Sequence, residues 1–498
     1  MPVTQKTFWL TLGLCSLFGA VMVAAFAPLE WAPLAFICVA ALFYLCRNAN
    51  AKDSFFYGLG FGYGLFGAGV SWVYVSLHTY GGMPLWMGSI AVLGFAGILA
   101  IFIAFTTYAA ARLVPGGGMP RILAMAGFWL VFEWTRSWIL TGFPWLELGY
   151  TQTPTWLFAF APVGGVYLVS FTVIFVAVCL LGLVFSRDKL LATVGLLSVF
   201  ALAWIADQQN WTDPIGEPLA IGLVQPNVPI NNKWQAQYRD QVIARLRAMS
   251  SALRTEGDSP KQVDLVVWPE TALPLYYQQT DEKFWASLLP ADTAVLTGIA
   301  DAPFPNEAYN AAILSCDGQQ QVYRKRHLVP FGEYLPLRFL FNWVLEYLEL
   351  PMSDFSSWAG QQTLSCAGGI KIALSICYED AFASEMRDYV GDATLLVNIS
   401  EDAWFGDSLA PHQRLQMAQM RARELSRPLV RSANTGPSVV IDHRGKVVAS
   451  TGQFSAESLV HAAQPHAGDT PYKRFGNWIV WLMMLLLVAL GARERKRQ

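Results

Sequence analysis

Up to about residue 206 the chain is a succession of apolar windows, at 8–27, 31–46, 55–76, 86–111, 122–140, 160–185 and 189–206, and one more follows at 477–491. A bilayer's hydrocarbon core is about 30 Å thick, which roughly 20 apolar residues of helix cross. The pattern predicts about eight spans, the second and last being the shortest. A fold lying wholly in water is thereby excluded. With 54% hydrophobic and 14% charged residues, the composition fits this reading, and the charge is unevenly placed. Few ionisable groups precede 206, whereas 207–474 has the composition of an ordinary soluble domain. The expected organisation is a membrane domain at 1–206, a soluble domain at 207–474, and a terminal span with a basic tail at 475–498.

Orientation follows from the basic residues. Lys6, Arg47 with Lys52, Arg112 with Arg121, Arg187 with Lys189 and the tail around Arg493 all fall on one side if the spans alternate. That side is expected to be cytoplasmic, with both termini there and 207–474 outside the membrane. The basic tail then reads as a topology signal. With a net charge of -2, a nucleic-acid partner is not expected. Ala24-Ala25-Phe26-Ala27 resembles a signal-peptide cleavage site, but the apolar stretch is too long and further spans follow, so an uncleaved anchor is expected.

Gly62, Gly64 and Gly67 form a GxGxxG pattern inside an apolar window with no strand before it. Close helix packing is the expected role, and a dinucleotide site is rejected. Glu133 and Arg136 stand three residues apart within a span, a spacing that fits either a functional pair or a plain ion pair. The aromatic stretch Thr141 to Tyr150 reads as an interfacial loop, a greasy floor beneath the soluble domain.

From 207 to 474 strand-like and helical runs alternate. Strands are expected at Leu219 to Val224, Val263 to Trp268, Ala294 to Ile299, Gly369 to Leu374 and Thr394 to Ile399. Hairpins are expected around Asp317-Gly318 and around His443-Arg444-Gly445, and helices over Asn231 to Arg254 and His412 to Ser426. This is a layered α/β sandwich. It places Glu270, Lys325 and Cys377 each just past the carboxyl end of a strand, where α/β folds form their crevices.

Singly, each of the three has an ordinary reading: a packed thiol, a solvated acid, a solvated lysine. Together they supply thiol chemistry. A thiol of pKa about 8.5 needs a carboxylate to take its proton, and an ammonium steadies the oxyanion of a tetrahedral intermediate beside a backbone N–H after the nucleophile.

Trp268-Pro269-Glu270, Tyr323 to Glu333 and Ile376-Cys377-Tyr378-Glu379 resemble the three signatures of the nitrilase, or carbon–nitrogen hydrolase, superfamily. Ser71 to Ser76, Gly81-Gly82-Met83-Pro84 and Thr141 to Trp145 extend the likeness to its membrane-embedded bacterial branch, which N-acylates lipoproteins. The resemblance implies an α-β-β-α sandwich with Glu270 as general base, Lys325 as oxyanion cation and Cys377 as nucleophile. It further implies supporting roles for Trp234, Glu333, Tyr378 and Glu379. The implied donor is a phospholipid of the phosphatidylethanolamine type, the implied acceptor a diacylglyceryl apolipoprotein, and the implied location the inner membrane with the catalytic domain in the periplasm. One departure stands out: Glu401 occupies a position where that branch is expected to carry Asn.

Two other functions fit parts of the pattern, a membrane-anchored amidase using the same triad with water as acceptor, and a transporter whose outer domain only binds ligand. The greasy segment Leu340 to Met352 reads either as a membrane-dipping lid or as a buried helix. Cys15, Cys38, Cys46 and Cys179 read as apolar packing. Whether Cys316 and Cys366 pair is left open by the sequence. The six His show no metal-ligand spacing, so neither metal nor cofactor is expected.

Overall fold

The computed structural model describes residues 5–186, 189–253, 263–290, 292–305, 307–341, 354–360, 363–366 and 369–495. The apolar windows fold as helices Gln5–Met22, Pro33–Cys46, Ala51–Gly69, Leu85–Leu113, Gly118–Arg136, Ala161–Phe185, Lys189–Asp207 and Trp478–Arg495. Four helical stretches, Gln5–Ala25, Leu85–Leu113, Trp156–Phe185 and Lys189–Asp207, are long and apolar enough to cross a bilayer. Pro33–Cys46 and Trp478–Arg493 are apolar but shorter.

Ala51–Gly69 starts at Asn50, whose side chain accepts from the Asp53 N–H and so satisfies one free donor of the first turn. It packs between Gln5–Met22 and Leu85–Leu113 through its glycines. A Cβ on Gly64 would lie 1.9 Å from the Ser16 carbonyl oxygen, and one on Gly62 would lie 2.6 Å from Ala100 Cα. Two glycines of the GxGxxG pattern thus serve backbone approach, as the apolar context implies. Gly67 has open space around it.

Glu133 and Arg136 both bond the loop that follows their helix. Arg136 Nη1 donates to the carbonyls of Phe143 and Trp145, each at 2.6 Å, and Glu133 Oε1 accepts from the Leu148 N–H at 2.8 Å. The two charges thereby shape the aromatic loop Thr141 to Tyr150 and bury Trp145 and Leu146.

Between Asp213 and Ala467 the chain builds two six-stranded sheets. The first runs Glu457–Ala463, Leu219–Gln225, Leu265–Val267, Ala294–Phe304, Glu307–Cys316, Gln319–Arg324 in space. The second runs Val447–Ser450, Val439–Ile441, Leu429–Ala433, Leu395–Ser400, Lys371–Ile376, Leu364–Ser365. Each has parallel strands at its centre and antiparallel strands outside. Period-two alternation explains the layering. Ile221, Leu223, Leu265 and Val267 meet Ile372, Leu374, Leu395 and Val397 between the sheets. Val224 and Val266 point outward to the helix Arg239–Ala252, while Ala373 and Leu396 point to the helix Ala410–Leu425. The result is the four-layer α-β-β-α sandwich that the sequence leads one to expect.

Local differences are few. The helix expected over Asn231 to Arg254 is broken: Ile230–Lys233 is one turn, Gln235 is extended, and the long helix starts at Arg239. The strand at Ala294 continues to Phe304 because the hairpin partner Glu307–Cys316 pairs with it from Val295 to Asp301 and, past an irregularity, again at Phe304.

Sandwich and membrane helices share one apolar core. Tyr378, Phe382, Met417 and Met420 pack in the same cluster as Phe26, Trp72, Trp145 and Tyr150. Polar bonds cross the same boundary: Trp145 Nε1 donates to Gln413 Oε1 at 2.6 Å, Gln413 Nε2 to the Gly69 carbonyl at 3.1 Å, and the Val166 N–H to Glu424 Oε1 at 2.7 Å. The loop read as a floor is in contact with the domain above it.

Candidate active site

Glu270 and Lys325 leave the first sheet and Cys377 leaves the second, all at the ends where the two sheets' strands finish. Glu270 is buried two residues past Trp268, whose indole N–H donates to Ser250 Oγ at 2.9 Å. Its Oε1 accepts from Asn310 Nδ2 at 2.7 Å and lies 3.6 Å from Lys325 Nζ; its Oε2 accepts from the Glu401 N–H at 2.8 Å. Lys325 donates to Glu333 Oε1 at 2.9 Å. Burial works against the Lys325 charge, but Glu333 and then Glu270 outweigh it and hold the ammonium well above the usual lysine range. Lys325 is therefore a permanent cation.

Glu333 and Glu379 connect these parts. Glu333 accepts from Asn310 Nδ2 at 2.7 Å and from the Val329 N–H at 2.8 Å, which fixes the loop after Lys325. Glu379 Oε1 accepts from the Arg326 N–H at 2.7 Å, and its Oε2 accepts from the Ile376 N–H at 2.7 Å and the Tyr323 hydroxyl at 2.8 Å. One carboxylate thus ties the cation's loop to the nucleophile's turn. Burial raises the Glu379 pKa, and the Ile376 N–H followed by the Lys325 charge oppose it.

Cys377 has φ +51°, the left-handed region, at the start of a 3₁₀ turn through Ala381. A side chain there stands off the strand, and the conformation is one that non-glycine residues adopt at functional turns. Burial, and then the Glu270 carboxylate, push the thiol up to about 12, while Arg414 and Lys325 pull it down. The resting side chain is therefore a neutral thiol that needs a base during attack. Tyr378 is buried beside it, with its ring stacked on Trp145 at 6.4 Å between centroids.

Trp234 closes the turn Ile230–Lys233 and is 36% exposed, unlike the other six residues singled out from the sequence. Its neighbour Lys233 is the buried one. Lys233 Nζ donates to Glu401 Oε2 at 2.5 Å and to the Glu270 carbonyl at 2.9 Å. Asn434 Nδ2 lies 3.0 Å from both Glu401 oxygens. Glu401 is thereby accommodated electrostatically: its carboxylate, whose pKa burial raises, is matched by the Lys233 ammonium.

Sequence reasoning overlooked Lys233, Asn310, Asp380, Asp402, Arg414 and Arg431. Arg414 gave one signal. It stands four residues after Ala410 and three before Met417, on the buried helical face that those two apolar residues mark. A charge on such a face needs a buried partner.

The segment Leu340 to Met352, read as lid or core helix, lies outside the described residues from 342 onward. Cys316 and Cys366 form a disulfide with Cα atoms 6.0 Å apart, joining a strand of the first sheet to the end of the second sheet's edge strand. Among the described residues these cysteines and Asp317 are the one grouping of metal-ligating side chains, and the disulfide removes both thiols as ligands.

The four-layer sandwich with its strand-end carboxylate, lysine and cysteine is that of a carbon–nitrogen hydrolase, and residues 221–472 match that family. Residues 18–179 match the N-terminal domain of apolipoprotein N-acyltransferase. Over its length the chain is similar to the apolipoprotein N-acyltransferase of Methylococcus capsulatus, at 38% identity over 486 residues covering 96% of this chain and 95% of that one. The enzyme of Nitrosomonas europaea so named is 38% identical over 484 residues, covering 95% of each chain. That of Pseudomonas putida is 36% identical over 482 residues, covering 94% of each. The chain belongs to the apolipoprotein N-acyltransferase family.

Proposed function

We propose that the chain moves an acyl group from a phospholipid to the free α-amine of the diacylglyceryl-modified N-terminal cysteine of apolipoproteins, through a thioester on Cys377. The observation that carries this reading is the meeting of Glu270, Lys325 and Cys377 at the end of the sandwich that is packed on the membrane helices. Both substrates are lipids. A site in water would have to extract each chain at about 0.8 kcal/mol per CH₂.

Glu270 takes the Cys377 proton as sulfur attacks the ester carbonyl. The S–C bond forms, Lys325 faces the oxyanion, the ester C–O bond breaks, and the Glu270 proton leaves with the lysophospholipid oxygen. The α-amine, with pKa roughly 8, then attacks the thioester. An N–C bond forms, the S–C bond breaks, and the amine's proton returns to Cys377 by way of Glu270. Glu333 and Glu379 hold the cation and the turn in place, while Trp234 and Tyr378 are assigned supporting roles toward the substrates.

The same reading comprises a membrane domain at 1–206 within about eight spans, a catalytic domain at 207–474 and a terminal span at 475–498. It places catalysis on the periplasmic side of the inner membrane, both termini in the cytoplasm, and a phosphatidylethanolamine-type donor in the outer leaflet. The basic loops support this orientation. So does the Cys316–Cys366 disulfide, a bond that persists in oxidising compartments. Hydrolysis of amides is not favoured, because relatives aligned over 94–96% of the chain, its N-terminal helices included, carry the transferase name.

Intact mass tests the proposal. The detergent-purified chain incubated with phospholipid is expected to gain one acyl adduct on Cys377 that persists in water and moves to a lipopeptide bearing a free N-terminal cysteine. Cys377→Ala is expected to gain none. An adduct that water discharges as fast as the amine would return the reading to an amidase.

A further inference from the structure

Cys377 sits against a second cation. Arg414, in the first turns of Ala410–Leu425 and 1% exposed, divides its guanidinium between two atoms of that residue. Nη1 lies 3.4 Å from Sγ, and Nη2 donates to the Cys377 carbonyl at 2.6 Å. Carboxylates hold the fork in place: Arg414 donates to Asp402 Oδ1 at 2.9 Å and Asp380 Oδ1 at 3.1 Å, and to Ser400 Oγ at 2.5 Å. Arg431 shares both acids, at 2.7 Å from Asp402 Oδ2 and 3.5 Å from Asp380 Oδ2.

Two acids and two guanidiniums neutralise each other, so burying all four is tolerable. The two Nη1 hydrogens are shared among three acceptors, Ser400 Oγ, Asp402 Oδ1 and Cys377 Sγ, the sulfur being the farthest. An N–H aimed at sulfur makes a strong bond only once the sulfur is anionic.

We infer that Arg414 is a further catalytic residue, whose Nη1–H stabilises the Cys377 thiolate as it attacks the donor ester and again as it leaves the thioester. The inference rests on Cys377 being the nucleophile. Arg414 exchanges no proton in either step: Glu270 takes the thiol proton, and the S–C bond forms as C–O breaks. When N–C forms and S–C breaks, the departing thiolate returns to Nη1. Of the charged groups facing the sulfur, Glu270 and Asp402 oppose the thiolate, whereas Arg414 and Lys325 favour it. Asp380 and Arg431 act through Arg414.

The test is the rate of Cys377 alkylation by iodoacetamide at pH 8 in the full detergent-purified chain, read by peptide mass and needing no lipid donor. Arg414→Gln is expected to slow alkylation about tenfold or more, the effect of removing one adjacent opposite charge. Arg414→Lys is expected to recover most of the rate. A packing role predicts the opposite sign, since a loosened site exposes the thiol and speeds alkylation. An Arg414→Gln rate equal to or above the parent's therefore overturns the inference. Because Arg414→Gln leaves Asp380 with only its 3.5 Å contact to Arg431, the charge-balanced Asp380→Asn/Arg414→Gln chain is measured beside it, and the variant that melts like the parent is the one read. Failure of the underlying reading looks different: the parent's Cys377 would gain no acyl adduct from phospholipid, whatever its alkylation rate.

Discussion

The Tyr378 hydroxyl donates to the Gly142 carbonyl at 3.1 Å, so the residue after the nucleophile is bonded directly to the loop that follows the helix Gly118–Arg136. Removing the hydroxyl with Tyr378→Phe deletes one net hydrogen bond, about 1 kcal/mol. The expected outcome is a fall of roughly fivefold in thioester formation from phospholipid, with iodoacetamide alkylation of Cys377 changing much less. Parallel time courses with the two reagents check this, and an equal fall in both would assign the bond to the thiol rather than to lipid delivery.

Lys233 and Glu401 form a buried pair at 2.5 Å behind the Glu270 carboxylate. Lys233→Met strands a buried carboxylate, which costs about 3 kcal/mol. Adding Glu401→Gln removes the stranded charge and is expected to restore at least half of the lost stability. Denaturation of the two variants in detergent measures the difference; a double variant no more stable than the single one would show that the pair does not act as a unit.

The pH dependence of thiol reactivity has a definite sign. Burial, and then Glu270, push the Cys377 thiol up to about 12, so the folded side chain is protonated throughout the neutral range. Its thiolate fraction then grows about tenfold per pH unit below that value. Alkylation between pH 6 and 9 is expected to rise log-linearly with no plateau. A plateau near pH 7 would mean that the cations outweigh burial.

The disulfide between Cys316 and Cys366 spans 50 residues of sequence. A non-reducing peptide map is expected to contain that linked pair with Cys377 free. Replacing both cysteines by Ser is expected to cost about 2–4 kcal/mol, the usual effect of opening a loop of this size.

Much of this architecture is legible in the chain because two periodicities carry it. Alternation in Leu219–Gln225 and Lys371–Ile376 marks the inner faces of the sheets, and Asp317-Gly318 marks a hairpin whose register pairs Ala311 with Arg324. Strand ends can be located from the same alternation, which is why Glu270, Lys325 and Cys377 read as a set. The break at Gln235 is not legible, since helical spacing on either side of a one-residue extension reads as continuous. Arg414, Asp402 and Arg431 escaped notice for a different reason. A charged residue in a helix or after a strand ordinarily faces water, and only three-dimensional pairing reveals that these are buried. Likewise Glu133 and Arg136 advertise their importance by lying in an apolar window, but their partners are loop backbone atoms, which no side-chain pattern encodes.

The shared apolar core has a consequence for what counts as the smallest working enzyme. Tyr378, Phe382, Met417 and Met420 are interior residues only because Trp72, Trp145 and Tyr150 lie across from them. A fragment beginning at residue 207 would present those four side chains to water a few residues from the nucleophile, and would lose the Gly142 and Trp145 bonds that seat the turn and the helix behind it. The helices beneath the nucleophile's turn are thus part of the enzyme's interior as well as its anchor.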